Sequence, residues 1–161
     1  MRARFVIHEH HATRLHFDLR LEIDGVLKSW AVPKGLSMNP ADKRLAVAVP
    51  DHRLSYIDFE GRIREGSYGA GEVRIWDRGL FETPADAKQQ YALGRLKITF
   101  FGDRIYGEFA LVKMNGQPKN WLIIKAEDRF AETDWVLETV LPPKPARSSG
   151  RKSRLAGQRL K

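Results

Sequence analysis

The sequence predicts a mainly β protein, a compact antiparallel β-barrel with one or two short helices. Three observations carry that expectation. From Leu15 to Ile23 apolar and polar residues alternate strictly, the period of a strand with one apolar face. Short apolar runs recur along the chain, separated by turn signals such as Asp24-Gly25, Gly102-Asp103 and Asn115-Gly116. A single stretch, Pro84 to Leu93, carries the start and stop signals of a helix. A barrel is preferred to a sandwich because a closed sheet can shelter a polar inner face such as the row His16, Asp18, Arg20.

Each element has its own reason. Arg4 to His8 reads as a first strand with Phe5 and Ile7 on one side. Leu15 to Ile23 is the second. Asp24-Gly25 then supplies the positive φ values that a two-residue type I′ turn needs, so Val26 to Val32 returns as the third. Pro33-Lys34-Gly35 ends it and opens a loop, GLSMNPADKR. Arg44 to Val49 is a short strand, Leu54 to Phe59 is irregular or extended, and a glycine-dense stretch leads into a strand at Val73 to Asp77. In the helix, Thr83 is the expected N-cap, Pro84 the N1 residue and Gly94 the stop. Strands resume at Leu96–Phe101, Ile105–Lys113 and Trp121–Lys125, with a last short element around Trp135–Leu137.

At 161 residues the chain is expected to form one domain over 1–143, followed by a basic, disordered tail over 144–161. The net charge of +8 belongs mostly to that tail. Its seven basic residues, with no acidic one, leave the first 143 at about +1. Cysteine is absent, which excludes a disulfide framework, a thiolate metal site and a thiol nucleophile, and fits a cytoplasmic protein. No apolar run reaches membrane-spanning length, and the start lacks the apolar core of a secretory signal.

The chemistry concentrates in HEHHATRLHFDLRLE, which holds four of the five histidines. His16, Asp18 and Arg20 share one strand face, with successive Cα atoms roughly 6.5–7 Å apart. His10 stands upstream, with His8 and His11 beside it. Two imidazoles and a carboxylate suit Mn, Fe or Zn, with coordination positions left open. A solvated strand face is the plain alternative. Lys34, Arg44, His52 and Tyr56 extend the set, each with an ordinary surface or structural reading of its own. Taken as a group, they suggest metal-assisted attack on a phosphate ester, with the cations neutralising charge on the phosphoryl oxygens. The cluster Gly66-Ser67-Tyr68-Gly69-Ala70-Gly71 is not a phosphate loop, because no lysine-serine pair follows and a strand comes next.

Several long motifs match a known family in order: His10, His16, Asp18 and Arg20 in HxxxxxHxDxR, then IDGVLKSWAVPKG, DKRLAVAV, DHRLSYIDFEG and EGSYGAGEVRIWDRG. Over roughly residues 5–140 the chain resembles the 3′-phosphoesterase domain of bacterial DNA ligase D and its free-standing versions. The resemblance implies a β-barrel with a manganese-dependent site (Co²⁺ or Zn²⁺ being alternatives) that removes 3′-phosphates. It also implies removal of 3′ ribonucleotides from DNA or DNA/RNA primer–template ends. Either reaction leaves a 3′-OH for non-homologous end joining. By motif position His10, His16 and Asp18 become metal ligands, and Arg20, His52 and Tyr56 contact the scissile phosphate. Lys34 and Arg44 lie on the substrate side; His8, outside the family motif, is grouped with them as phosphate-binding, a further ligand or a plain hydrogen bond being its alternatives. Implied partners are separate ligase, polymerase and Ku-type proteins, with the chain itself a monomer and no membrane involved.

The pattern also departs from the family. His8 stands where glutamine is common, and Pro50 where an acidic residue is common. Fuller members carry a segment ahead of the first strand used in ribonucleotide removal, so phosphate removal is the firmer expectation. Two rivals predict different behaviour. A non-catalytic nucleic-acid-binding barrel would bind DNA without turnover, and a hydrolase of small phosphorylated molecules would show no preference for a DNA 3′ end.

Overall fold

The computed structural model describes residues 2–66 and 69–142; the expected tail over 144–161 lies outside them. Among the described residues the elements are β1 (Arg2–His11), β2 (Leu15–Ile23), β3 (Val26–Val32), β4 (Arg44–His52), β5 (Gly61–Ile63), β6 (Gly71–Glu82), α1 (Ala87–Leu93), β7 (Arg95–Phe101), β8 (Tyr106–Lys113) and β9 (Asn120–Lys125), with a 3₁₀ turn at Leu54–Asp58. All pairings are antiparallel. The order β1-β2-β3-β4-β9-β8-β7-β6 closes where β6 pairs with β1, giving an eight-stranded barrel with β5 on the other edge of β6. The mainly β barrel expected from the sequence is the fold observed.

The Asp24-Gly25 turn has both central φ values positive, 56° and 81°, and sets Ile23 opposite Val26. From there the register runs back to Leu21↔Lys28, Arg20↔Ser29 and Asp18↔Ala31. Phe17, Leu19 and Leu21 join Phe5, Ile7 and Trp30 in one buried core. Each such side chain contributes roughly 2 kcal/mol on burial.

That core corrects one expectation. The row His16, Asp18, Arg20 lies on the outer wall of the barrel, because an eight-stranded barrel fills its interior with side chains and this one fills it with apolar ones. The row is sheltered from outside instead. The 3₁₀ turn packs over the wall through a separate apolar cluster of Val6, Leu27 and Ile57, with Leu54, Tyr56 and Ile75 beside it.

Other differences are local. Strands β1, β4 and β6 run longer than the apolar pattern suggests, and Leu54–Asp58 is helical rather than extended. The α-helix begins at Ala87, not Pro84. Thr83 spends its hydroxyl as a donor to the Ala85 carbonyl, so the capping acceptor is Asp86, which receives the Lys88 N–H. Gly94 ends the helix at φ 77°, as expected. Tyr91 of α1 stacks on Trp121 at 5.7 Å.

Trp135–Leu137 forms no regular element. It belongs to an irregular strap that packs on the core through Trp135 and Leu137. Its anchor is Glu9, which is fully buried on β1. Glu9 accepts from the Val140 N–H at 2.6 Å and the Leu141 N–H at 2.9 Å, and its Oε2 lies 2.6 Å from His11 Nε2. Trp76 Nε1 donates to the Glu138 carbonyl beside it. Glu9→Ala strips two backbone donors and an imidazole of their partner at once. We expect a loss of about 2–4 kcal/mol in urea unfolding. A loss under about 1 kcal/mol would mean that the strap is held by Trp135 and Leu137 alone.

Candidate metal centre and active site

Strands β1 and β2 bring the site together. Their register sets His10 opposite His16 and His8 opposite Asp18. One ligand atom each from His10, His16 and Asp18 falls within 4.8 Å of the others. His10 Nδ1 lies 3.4 Å from Asp18 Oδ2, and His16 Nε2 lies 3.3 Å from Asp18 Oδ1.

The outer nitrogens explain the arrangement. His10 Nε2 faces the Gly69 carbonyl at 2.7 Å, and His16 Nδ1 faces the Arg14 carbonyl at 3.2 Å. A carbonyl only accepts, so those nitrogens carry the protons. In the neutral rings, the nitrogens turned toward Asp18 are bare lone pairs. Two lone pairs and a carboxylate facing one another repel unless a cation lies among them. A proton is one solution. Burial works against a charged His16, but the Asp18 carboxylate outweighs it and holds this imidazole above its ordinary range. A divalent metal is the other solution, and the donor set fits one, with second-shell carbonyls fixing both tautomers. Burial works against an ionised Asp18, but the two facing imidazoles, as their protonated forms, and the charge of Arg20 outweigh it and hold the carboxyl well below its ordinary range.

Arg20 is buried beside the triad and pairs with Asp18 at 3.4 Å. It also donates to Ser29 Oγ at 3.0 Å and to His8 Nδ1 at 3.1 Å. Its Nη1 lies 3.2 Å from His52 Nδ1. That His52 nitrogen also lies 3.1 Å from the Pro50 carbonyl. A guanidinium only donates, so the ring that accepts from Arg20 carries its proton on Nε2, whereas the Pro50 carbonyl favours the proton on Nδ1. Burial and the Arg20 charge lower the His52 pKa, so the ring is neutral near pH 7. The Tyr56 ring sits 4.9 Å from His52 and 5.1 Å from the guanidinium. Burial raises its phenol pKa, so the hydroxyl stays protonated.

A cleft of about 580 Å³ opens over this group. His10, His16, Asp18, Arg20, His52 and Tyr56 line it, with an apolar wall that includes Ala31, Val49 and Ile63. Three of the sequence-derived site residues lie elsewhere. Lys34 is exposed in the turn after β3, and Arg44 opens β4, paired with Asp42 at 3.4 Å. His8 is wholly buried behind Arg20, its Nε2 donating to the Phe59 carbonyl at 3.1 Å. Sequence reasoning missed Ser29, Glu9 and the carbonyls of Arg14, Phe59 and Gly69. Only Ser29 left a signal, since the Asp24-Gly25 turn counts back to Arg20↔Ser29.

Burial, then the Arg20 charge, lowers His8 to about 3. The unfolded chain therefore takes up a proton below about pH 6.5 that the folded protein refuses until about pH 3. Stability from this group is complete above that window and is lost as pH falls through it, by about 1.4 kcal/mol per unit. His16 has the opposite sign, stabilising in acid and losing that contribution as pH rises. Urea midpoints from pH 7 to 4 should fall more steeply for wild type than for His8→Gln. Equal slopes would contradict a neutral, buried His8.

Comparison with known proteins gives a consistent picture. The family model described as the DNA ligase D 3′-phosphoesterase domain matches residues 8–113. The chain is 47% identical over 132 residues to the multifunctional non-homologous end joining protein LigD of Pseudomonas aeruginosa, covering 81% of this chain and 16% of that protein. It is 44% identical over 137 residues to the Mycolicibacterium smegmatis protein of the same description, covering 78% and 17%. It is 42% identical over 138 residues to the multifunctional non-homologous end joining DNA repair protein LigD of Mycobacterium tuberculosis, covering 86% and 18%. The chain thus spans less than a fifth of the length of these relatives. No helix among the described residues is long and apolar enough to cross a membrane.

Proposed function

The chain belongs to the DNA ligase D 3′-phosphoesterase domain family, and from that membership and the site's geometry we propose that it is a metal-dependent phosphoesterase healing DNA 3′ ends. Its product is a 3′-OH usable in non-homologous end joining. The single observation carrying the metal dependence is the pair of histidine lone pairs turned on a buried carboxylate, each fixed by a carbonyl behind it.

His10, His16 and Asp18 would hold a divalent ion, which when bound would supply Lewis acidity and lower the pKa of a water. Manganese is the ion the family resemblance implies; Co²⁺ and Zn²⁺ suit the same ligands. The remaining residues do the positioning. Arg20 faces the charge that spreads over the phosphoryl oxygens, held in place before substrate arrives. In the tautomer that accepts from Arg20, neutral His52 presents Nε2–H, able to donate to a non-bridging oxygen or to the leaving oxygen. The Tyr56 hydroxyl, with no hydrogen-bond partner among the described residues, offers a further donor. Ala31, Val49 and Ile63 keep one side of the cleft dry, which strengthens each of these contacts.

Lys34, exposed and without an ion pair among the described residues, would meet the DNA backbone beyond the reacting phosphate. Arg44 stays with Asp42. The seven basic residues between Lys144 and Lys161 would add sequence-independent, salt-sensitive attraction. Substrates are DNA or DNA/RNA primer–template 3′ ends, with ligase, polymerase and Ku-type functions acting on the product.

Competition between substrates tests the assignment. A primer–template ending in a 3′-phosphate should be hydrolysed with a kcat/KM at least about tenfold above that of a nucleoside 3′-phosphate, since the flanking strand adds binding used in the transition state. Equal values would instead indicate a hydrolase of small phosphorylated molecules.

A further inference from the structure

Every polar atom of the His8 ring is engaged, and none of its partners is substrate. The ring is fully buried on the outer face of β1, behind Arg20 and under Tyr56, whose ring it meets edge-on at 5.3 Å. Its Nδ1 takes the Arg20 Nε–H at 3.1 Å, and its Nε2 meets the Phe59 carbonyl at 3.1 Å. A guanidinium only donates and a carbonyl only accepts, so one tautomer satisfies both.

The guanidinium itself is largely committed. Of its five N–H bonds, Nε serves His8 and Nη1 serves Ser29 Oγ and His52 Nδ1, while Nη2 pairs with Asp18 by charge at 3.4 Å without a hydrogen bond. Among the described residues Nη2 has no hydrogen-bond partner, and its side chain lines the cleft. Without a partner at Nε the planar group is held only at its far end, through Nη1 and the Asp18 ion pair, and the aim of Nη2 loosens. The Phe59 carbonyl ties the same imidazole to the aromatic wall, because the Phe59 ring stacks on Tyr56 at 4.8 Å and 12°.

We propose that His8 is a positioning residue, which fixes the Nη2 edge of Arg20 toward a phosphoryl oxygen and couples the guanidinium to the Tyr56–Phe59 wall. The inference rests on the phosphoesterase reading for the identity of the anion, and on hydrogen-bond geometry for everything else. Its chemistry also says what can replace the histidine. A glutamine amide carries an acceptor and a donor, the same pair that the neutral ring presents. Leucine carries neither.

The test compares wild type, His8→Leu, His8→Gln, Arg20→Lys and His8→Leu/Arg20→Lys, all as the full chain loaded with Mn²⁺. Three quantities are read: Mn²⁺ affinity, binding of inorganic phosphate to the loaded protein, and kcat and KM on a 3′-phosphate primer–template. His8→Leu should lower kcat by about 10- to 100-fold with little change in KM or Mn²⁺ affinity, because the lost contact is a charged hydrogen bond strongest in the transition state. His8→Gln should recover all but about threefold of that loss. In the Arg20→Lys background His8→Leu should cost less than about threefold more, because both changes act on one contact.

Equal losses from leucine and glutamine, or a full additional loss in the double variant, would overturn the proposal. A fall only in the fraction of protein that binds Mn²⁺ would also overturn it, in favour of a purely structural histidine. If wild type hydrolyses nothing, the phosphoesterase reading fails on its own, and phosphate binding decides the present one. Weaker phosphate binding by His8→Leu than by His8→Gln supports it; equal binding, or none by wild type, rejects it.

Discussion

Asp18→Asn is expected to lower metal-dependent hydrolysis of a 3′-phosphate by about a thousandfold or more. The change keeps size and shape but removes the charge on which the site is balanced. Asp18 faces His10 at 3.4 Å, His16 at 3.3 Å and Arg20 at 3.4 Å. Without it, a divalent ion would meet two neutral imidazoles and a nearby guanidinium, a net repulsive setting for a cation. Metal affinity, measured by titration of the stripped protein, should fall in parallel with turnover. The metal-free variant should also be less stable, because the buried Arg20 loses its charge partner. Undiminished turnover would place the ion elsewhere.

Arg20 should give the second largest effect. Arg20→Lys keeps the positive charge yet cannot serve His8, Ser29, His52 and Asp18 from one planar fork. A reduction of kcat by about 10²- to 10³-fold is expected, with metal affinity within about threefold of wild type. Arg20→Ala would confuse the result, because it leaves Ser29, His8 and His52 unsatisfied in a buried setting. Lysine separates geometry from charge. If lysine were as good as arginine, the fork would have no role in transition-state stabilisation, and simple charge neutralisation would suffice.

How much of this was legible in the sequence differs from residue to residue. The alternation of Leu15 to Ile23 disclosed both faces of β2, and the two-residue turn at Asp24-Gly25 fixed its pairing with β3, because both signals are local. The same alternation could not say which face looks into the barrel. That depends on how much apolar volume the other strands contribute, and here they fill the interior and push the polar row outward. The triad was readable because its members lie within nine residues on a β-ladder. His52 arrives at the end of β4 opposite Leu27, and Tyr56 reaches the site because the 3₁₀ turn seats Ile57 on Val6 and Leu27, pairings across some twenty-five to fifty residues that no local pattern encodes. Carbonyls leave no side-chain signature at all, so the groups that fix the histidine tautomers were invisible. At α1, two cap-forming residues competed, and the Thr83 hydroxyl's turn toward Ala85 left capping to Asp86.

The most direct measurement incubates metal-stripped protein with a primer–template ending in a 3′-phosphate, with and without Mn²⁺, and follows the terminus. The account predicts conversion to 3′-OH that requires added metal, saturates at one ion per chain and disappears in His16→Ala. Bound DNA with no conversion under Mn²⁺, Co²⁺, Zn²⁺ or Mg²⁺ would contradict it and leave a nucleic-acid-binding barrel whose triad holds no catalytic ion.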